Sequence, residues 1–443
     1  MGNYIPVTSG ERIRMEQFLG IGSAQELFAD LPEEIRLRDG LHLPEGAAEA
    51  EVLHRMGAFA GANKVFPSIF RGAGCYSHYI PAIVEYITAK EEFVTAYTPY
   101  QPEISQGVLQ SIFEYQTMIC ELTGMDASNA SVYDGATAAA EAVAMCREKG
   151  RSTVLLSGAL DPQVLETIGT YCFGSGMTVR ILPVRDGRTD PEACAAMLDG
   201  SVAAVCLAQP NFYGQLEEAS EIGTLTHAAG ARFILSCNPL SLAVLSTPAE
   251  CGADIAVGDG QPLGLPMSFG GPSFGFMACT SAMLRRLPGR IAGETRDAEG
   301  RRAFVLTLQA REQHIRREKA SSNICSNQSL CAMTAAVYLS VMGFKGLREA
   351  ALQSMSKAHG LAERLGGIRG FELEFKGPFF HEFVTRCPVP PAMLMERLAG
   401  HGILGGLPLG GDLEGRILWC ATEKNTREEI DALVDVVREV CGV

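Results

Sequence analysis

The stretch ADIAVGDGQPLGLPMSFGGPSFGF, Ala253 to Phe276, decides how the rest of the chain is read. Ile255, Ala256 and Val257 form a short apolar run, Gly and Pro then force a turn, and a second apolar run begins at Phe274. That order predicts strand, turn and strand, because Gly and Pro end regular structure while β-branched and aromatic residues favour a pleated surface. The turn presents Asp259, Gln261 and Pro262, which offer a carboxylate and an amide but no amine. No lysine stands anywhere between Lys149 and Lys319.

Upstream of this stretch the chain alternates regularly from residue 151. STVLLS (152–157), TVRILPV (178–184), AAVCLAQP (203–210) and RFILSC (232–237) are strand candidates, with DIAVG (254–258) and FGFMAC (274–279) after them. Helical patterns lie between most of them, at 162–172, 191–198 and 219–229. Apolar runs separated by helices predict a parallel sheet covered on both faces, joined by right-handed crossovers: an α/β fold of three layers. Beyond it the pattern gives a helix over 330–365, strands FELEF (371–375), HEFVTRC (381–387) and RILWCAT (416–422), and a helix over 391–400. A last helix starts at Thr426, which with Glu429 fits a capping box. The expected organisation is an N-terminal helical arm (1–65), a large αβα domain (66–330) and a small C-terminal α+β domain (331–443).

Composition narrows the function class. At 443 residues, 47% hydrophobic and 20% charged, the chain has room for two domains. A net charge of −14 with no long basic run argues against nucleic acid and anionic membrane as partners. The fourteen cysteines are scattered singly, without CxxC pairs or zinc spacing, and several (Cys120, Cys206, Cys237, Cys279) lie in apolar runs. Reduced thiols, no bound metal and a cytoplasmic location are the expectation. The first residues lack the basic start and apolar core of a secretory signal, and Pro6 stands where myristoylation after Gly2 wants Ser or Thr. No uninterrupted apolar run reaches a membrane-spanning length.

The remaining segments are less regular. Thr8/Glu11 and Ser23/Glu26 both fit capping boxes and open short helices that cover or clasp something. The stretch from Phe70 to Gln106 contains FRGAGCYSHYIP (70–81) and AYTPYQPEISQG (96–107), separated by a helix near 81–93. It crowds aromatic and polar side chains among Gly and Pro, which suits a ligand-binding loop, a protein contact or a plain surface connection. A helix over 107–122 follows, then NASVYDGATAAAEAVAMCREKG (129–150). Its small residues Gly135 to Ala140 open a helix whose free N–H groups could receive an anion, or whose slimness serves close packing. REQHIRREKA (311–320) carries five basic residues and reads as a solvated turn or an anion-facing loop.

The order of these features resembles aminotransferase-like pyridoxal-phosphate enzymes of fold type I. In that family a lysine at the end of a strand like Ile255–Val257 holds the cofactor as a Schiff base, and a helix start like that at Gly135 cradles its phosphate. An Asp ending the preceding strand contacts the pyridine nitrogen. Here Gln261 stands near the lysine position, and Asn238, closing AQPNFYGQLEEASEIGTLTHAAGARFILSCN (208–238), stands near the aspartate position. An amide can hydrogen-bond but cannot supply the negative charge. Two cofactor-handling residues are therefore absent together.

The stretches FRGAGCYSHYIPA, AYTPYQPEISQG, NASVYDGATA, GDGQPLGLPMSFGGPSFGF and REQHIRREKASSNICSNQSL make the resemblance more specific. Over its whole length the chain resembles the N-terminal-subunit branch (glycine dehydrogenase (decarboxylating) subunit 1) of the glycine-cleavage-system P-protein family. The resemblance implies a heteromeric enzyme, an α2β2 tetramer, whose homologous second subunit carries the pyridoxal phosphate. It further implies decarboxylation of glycine and transfer of the aminomethyl group to the lipoyl group of the H protein. No covalent catalytic residue is expected on this chain. Arg71, Tyr97, Tyr100, Gln101, Glu103, Gln106 and Tyr133 are the residues expected to line the shared active site or its interface. Two other readings stay open: a non-catalytic stabilising or regulatory subunit, and a stand-alone pyridoxal-phosphate enzyme anchored on Lys64, Lys90 or Lys319.

Overall fold

The computed structural model describes residues 6–37 and 40–442, and these fall into two compact units, 1–65 and 66–443. In the first unit the helices Ser9–Leu19 and Glu49–Ala62 carry no buried residue. Thr8 and Glu11 form the expected capping box, with the Glu11 N–H donating to Thr8 Oγ1 (3.3 Å) and the Thr8 N–H to Glu11 Oε2 (2.8 Å). The second expected box does not form. Ala24–Phe28 is a 3-10 turn with no side-chain cap from Ser23, and Glu26 instead accepts from the Gly22 N–H (2.9 Å). The N3 amide that the hydroxyl would have taken, Glu26 N–H, donates instead to the Ser23 carbonyl (3.1 Å), the tighter bonding of a 3-10 turn.

The second unit is built on a seven-stranded sheet. From one edge its strands run Ala127–Ser128, Gly275–Cys279, Ile255–Asp259, Arg232–Cys237, Val202–Gln209, Thr153–Ser157 and Thr178–Leu182. Five are parallel, while Gly275–Cys279 is antiparallel to both of its neighbours, with Met277 opposite Val257 and Ala278 opposite Ser128. The sequence pattern predicted a wholly parallel sheet. The connection over residues 260–274 carries no helix, and Gly275–Cys279 returns beside Ile255–Asp259 as the antiparallel partner, Gly275 opposite Asp259.

Alternate residues of each strand feed two cores. Leu155, Val205, Leu207, Phe233 and Leu235 face one, and Val154, Leu156, Ala204, Cys206 and Ile234 face the other. This two-sided burial is why the strands read as unbroken apolar runs. The helix Gly135–Cys146 is buried at ten of its twelve residues and packs on the Pro162–Ser175 helix. Its small side chains permit that depth.

Ser329–Gly366 is long and apolar enough to cross a bilayer by length and composition, yet Cys331 to Leu339 sit in the core beside Leu207 and Leu235. It breaks at Gly343, whose φ of 57° and ψ of −177° are non-helical. Its far end, Ala358 to Leu365, joins a separate core with Phe383, Trp419 and Leu433. That core lies against a four-stranded antiparallel sheet containing Glu382–Arg386 and Arg416–Cys420. The closing helix Arg427–Cys441 carries the expected Thr426/Glu429 box.

Three features were not legible beforehand. Ile291–Arg296 and Arg302–Thr307 form an antiparallel hairpin. Ser68–Ile69 pairs in parallel with Ile403–Leu404, which stitches the start of this unit to its C-terminal part. The helix expected near 81–93 is two, Ala82–Thr88 and Glu91–Val94.

Candidate functional site

A cavity of about 560 Å³ opens beyond the C-terminal ends of three neighbouring strands, at Ala208, Ser236 and Asp259. That is where open α/β sheets place their ligands, and the volume suits a small cofactor. Its other walls are the start of the Gly135–Cys146 helix, the start of the Pro162–Ser175 helix, the Gly74–Tyr76 loop and Glu382.

Gln261 and Asn238 both line it. Gln261 is 4% exposed and fully engaged: its Nε2 donates to Tyr76 O (2.9 Å) and Leu265 O (2.7 Å), and its Oε1 accepts from the Tyr76 N–H (2.9 Å). The side chain at the lysine position thus clamps the Tyr76 backbone. Asn238 accepts from the Leu240 N–H (2.9 Å), and its Nδ2 is buried without a partner among the described residues.

The start of the Gly135–Cys146 helix is already occupied. Asp134 accepts from the Thr137 N–H (2.7 Å), and Asp259 Oδ2 accepts from the Gly135 N–H (3.0 Å). Asp259 also accepts from the Gln261 N–H (2.9 Å) and from the Ser273 hydroxyl. Burial raises its carboxyl above the usual carboxylate range, and no cation is among the lining residues. A Cβ on Gly135 would lie 2.7 Å from Asp259 N, so only glycine permits this approach of helix start to strand end. Of the two readings of this segment, close packing is what the structure shows.

Pyridoxal phosphate does not fit these residues. There is no lining amine to hold it, the amide of Asn238 stands at the strand end where an aspartate would meet its pyridine nitrogen, and Asp134 and Asp259 occupy the helix start that would receive its phosphate.

The floor of the cavity is a buried polar cluster. Glu382 accepts from the Ala73 N–H (2.7 Å) and the Tyr76 hydroxyl (2.7 Å). Burial pushes its carboxyl up to about 7 from 4.5, with those hydrogen bonds pulling the other way. A raised folded-state value favours the protonated form, so this contribution to stability is complete below 4.5 and lost as pH rises through about 7. The loss from this one group is of order 3 kcal/mol. Glu382→Gln keeps the shape, accepting from Ala73 and donating to Tyr76, but cannot ionise. Urea midpoints measured at acid and mildly alkaline pH are expected to shift toward the variant as pH rises. Parallel pH profiles would contradict the assignment.

The other expected site residues lie elsewhere. Arg71 donates to Gly405 O (3.1 Å) and Gly406 O (2.8 Å), and burial lowers its pKa. Gln106 exchanges hydrogen bonds with the Phe304 backbone, donating to its carbonyl and accepting from its N–H (both 2.8 Å). Tyr100 is half exposed and accepts from Arg290 Nη2 (2.9 Å). Tyr97 is 89% exposed, Gln101 and Glu103 are also exposed, and Tyr133 is 38% exposed. None of the seven is among the residues lining this cavity.

Asn211 is buried, donates to Gly187 O and Glu217 Oε1 (both 2.8 Å), and accepts from the Tyr213 and Gln215 N–H groups. Asp134 and Glu382 were missed as wall residues. The Asp-Gly-Ala-Thr spacing signals the first as a helix cap, while nothing local signals the second.

Comparison with known proteins agrees with this geometry. The model of the glycine cleavage system P-protein family matches residues 2–437. Probable glycine dehydrogenase (decarboxylating) subunit 1 of Moorella thermoacetica is 50% identical over 441 residues, 99% of each chain. Its counterpart from Desulfitobacterium hafniense is 48% identical over 444 residues, 99% of this chain and all of that one. A crystal structure of glycine decarboxylase (P-protein) of the glycine cleavage system, in inhibitor-bound form, superposes with a TM-score of 0.92 at 45% identity, covering 99% of this chain and 100% of that chain. Alanine–glyoxylate aminotransferase from Nostoc sp. shares the fold, with a TM-score of 0.61 at 17% identity over 92% of this chain and 100% of that chain. The fold is therefore that of the aminotransferase-like enzymes, and the chain belongs to the glycine cleavage system P-protein family.

Proposed function

We propose that this chain is subunit 1 of a two-subunit glycine decarboxylase, working in the cytoplasm. With a homologous second subunit it would decarboxylate glycine and pass the aminomethyl group to the lipoyl arm of the H protein. One observation carries the reading: the cofactor pocket of the fold is present, but Gln261, Asn238 and the Asp134/Asp259 pair replace the groups a cofactor needs. The names of the relatives, which specify a subunit 1, support a partner that supplies them. Pyridoxal phosphate and its chemistry then belong to the second subunit, in an α2β2 assembly.

This chain's contribution would come from Arg71, Tyr97, Tyr100, Gln101, Glu103, Gln106 and Tyr133, with residues 66–330 acting as large domain, 331–443 as small domain and 1–65 as arm. The exposure of Tyr97, unusual for so large an aromatic side chain, supports a role toward a partner. Tyr97→Ala in the reconstituted complex is expected to lower kcat roughly tenfold to a hundredfold, as misplaced positioning groups do, with assembly by size-exclusion chromatography unchanged. Weakened assembly with unchanged kcat would mean a purely structural subunit.

A further inference from the structure

Arg290, immediately before the Ile291–Arg296 strand, holds a charge that the chain does not balance. It is 5% exposed, and its Nη2 donates to the Tyr100 hydroxyl (2.9 Å) while its Nη1 donates to Asn327 Oδ1 (3.3 Å). The Tyr100 ring lies over the guanidinium at 5.1 Å. All these partners are neutral. The Nε–H is buried without an acceptor, and among the described residues Arg290 pairs with no carboxylate. A second arginine shares the neighbourhood: Arg311 donates from Nη2 to the carbonyl of Gly289, the residue before Arg290, and its own buried Nη1 has no acceptor.

A cation stripped of water and bonded only to neutral groups is among the costliest arrangements in a protein interior. Local architecture nevertheless fixes it in place. Asn327 is oriented by donating from Nδ2 to Ala130 O (2.9 Å) and Ser131 Oγ (3.0 Å), so its oxygen faces Arg290. The Ala130 N–H donates to Arg290 O (2.8 Å).

We infer that Arg290, under Tyr100 and beside Asn327, forms a binding site for a small diffusible oxyanion, a carboxylate or phosphate. The free Nε–H lies on the guanidinium edge that grips two oxygens of such a group. Tyr100, accepting from Arg290, keeps its own O–H proton to donate to the anion. Being half exposed, Tyr100 also stands between the buried cation and solvent. Asn327 is a positioning residue. Tyr100 is also one of the residues proposed above to act toward the second subunit, so the inference rests in part on that reading.

Thermal unfolding of the full chain in inorganic phosphate or acetate, against chloride at equal ionic strength, tests this. The midpoint is expected to rise and saturate with phosphate or acetate. Arg290→Gln should abolish that rise while being at least as stable as wild type in chloride, since it removes an unpaired buried charge. Tyr100→Phe, which leaves the charge in place and so guards against misfolding of the first variant, should need about tenfold more phosphate for the same shift, the value of one charge-assisted hydrogen bond. Phosphate stabilises many proteins by exclusion from their surface, so a rise that persists in both variants would overturn the site. Absence of any rise over chloride would overturn it too. Repeating the titration on the complex separates two sources of the anion. A persisting phosphate effect marks a diffusible ligand. An effect lost on assembly, with Arg290→Gln loosening the subunits, would mean that an acidic side chain of the partner fills the place and would overturn the small-ion assignment.

Discussion

Gly214→Ala is expected to cost more than about 4 kcal/mol, enough to leave little folded protein. Gly214 has a φ of +79°, and a Cβ built on it would lie 2.0 Å from the carbonyl oxygen of Glu382 and 2.5 Å from its carbonyl carbon. The obstacle is backbone, which cannot swing aside as a flexible side chain could. Around this point the 211–217 loop is laced to the segment before Glu382, with Phe380 N–H donating to Gly214 O (3.2 Å) and Leu216 N–H to Pro378 O (2.9 Å). A left-handed backbone and a backbone clash therefore add. Guanidinium unfolding against wild type gives the answer, and a midpoint near that of wild type would show that the junction beneath the cavity is looser than described.

Restoring the lysine alone is expected to fail. In Gln261→Lys the new amine replaces an amide that makes three buried hydrogen bonds, and the Tyr76 N–H is left without its acceptor. That alone should cost about 1–3 kcal/mol. Asp259 would still hold the Gly135 N–H and oppose a phosphate at the helix start. Borohydride reduction after incubation with pyridoxal phosphate, read by intact mass, should therefore show little adduct on Gln261→Lys. Adding Asp259→Ser to that variant should raise capture at least about tenfold, because removing one apposed like charge is worth more than 1.4 kcal/mol in a dry site. Stoichiometric capture by the single variant would mean that the two aspartates do not guard the pocket.

The sequence carried the sheet because burial on both faces leaves a trace in every strand, and Val154 to Leu156 or Ala204 to Leu207 can hardly be read otherwise. It also carried the absence of a lysine and an aspartate at the two strand ends, since Gln261 and Asn238 are identities that can be read directly, and both line the cavity. What it could not carry was direction. Whether Asp259 points to solvent or across to Gly135 depends on a helix more than a hundred residues away in sequence. Gln106 could be read as polar in an irregular stretch, but its partner could not, because it hydrogen-bonds the edge of a hairpin that was itself invisible, its residues 291–307 mixing charge with apolar groups. Ser23 had the right neighbours for a cap, but the 3-10 turn gives the Glu26 N–H to the Ser23 carbonyl rather than to its hydroxyl. Glu382 is separated from Tyr76 by 306 residues, and no local pattern brings such a pair together.

Under the proposed function this chain is half of an enzyme, with the fold of a cofactor protein but without the groups that hold the cofactor. The direct test is borohydride capture of pyridoxal phosphate by the wild-type chain, followed by glycine decarboxylation assays with and without the purified second subunit. The predicted result is an unmodified mass, no turnover alone, and turnover on mixing. A stoichiometric adduct on one lysine, whether Lys64, Lys90 or Lys319, with turnover by the chain alone, would contradict it.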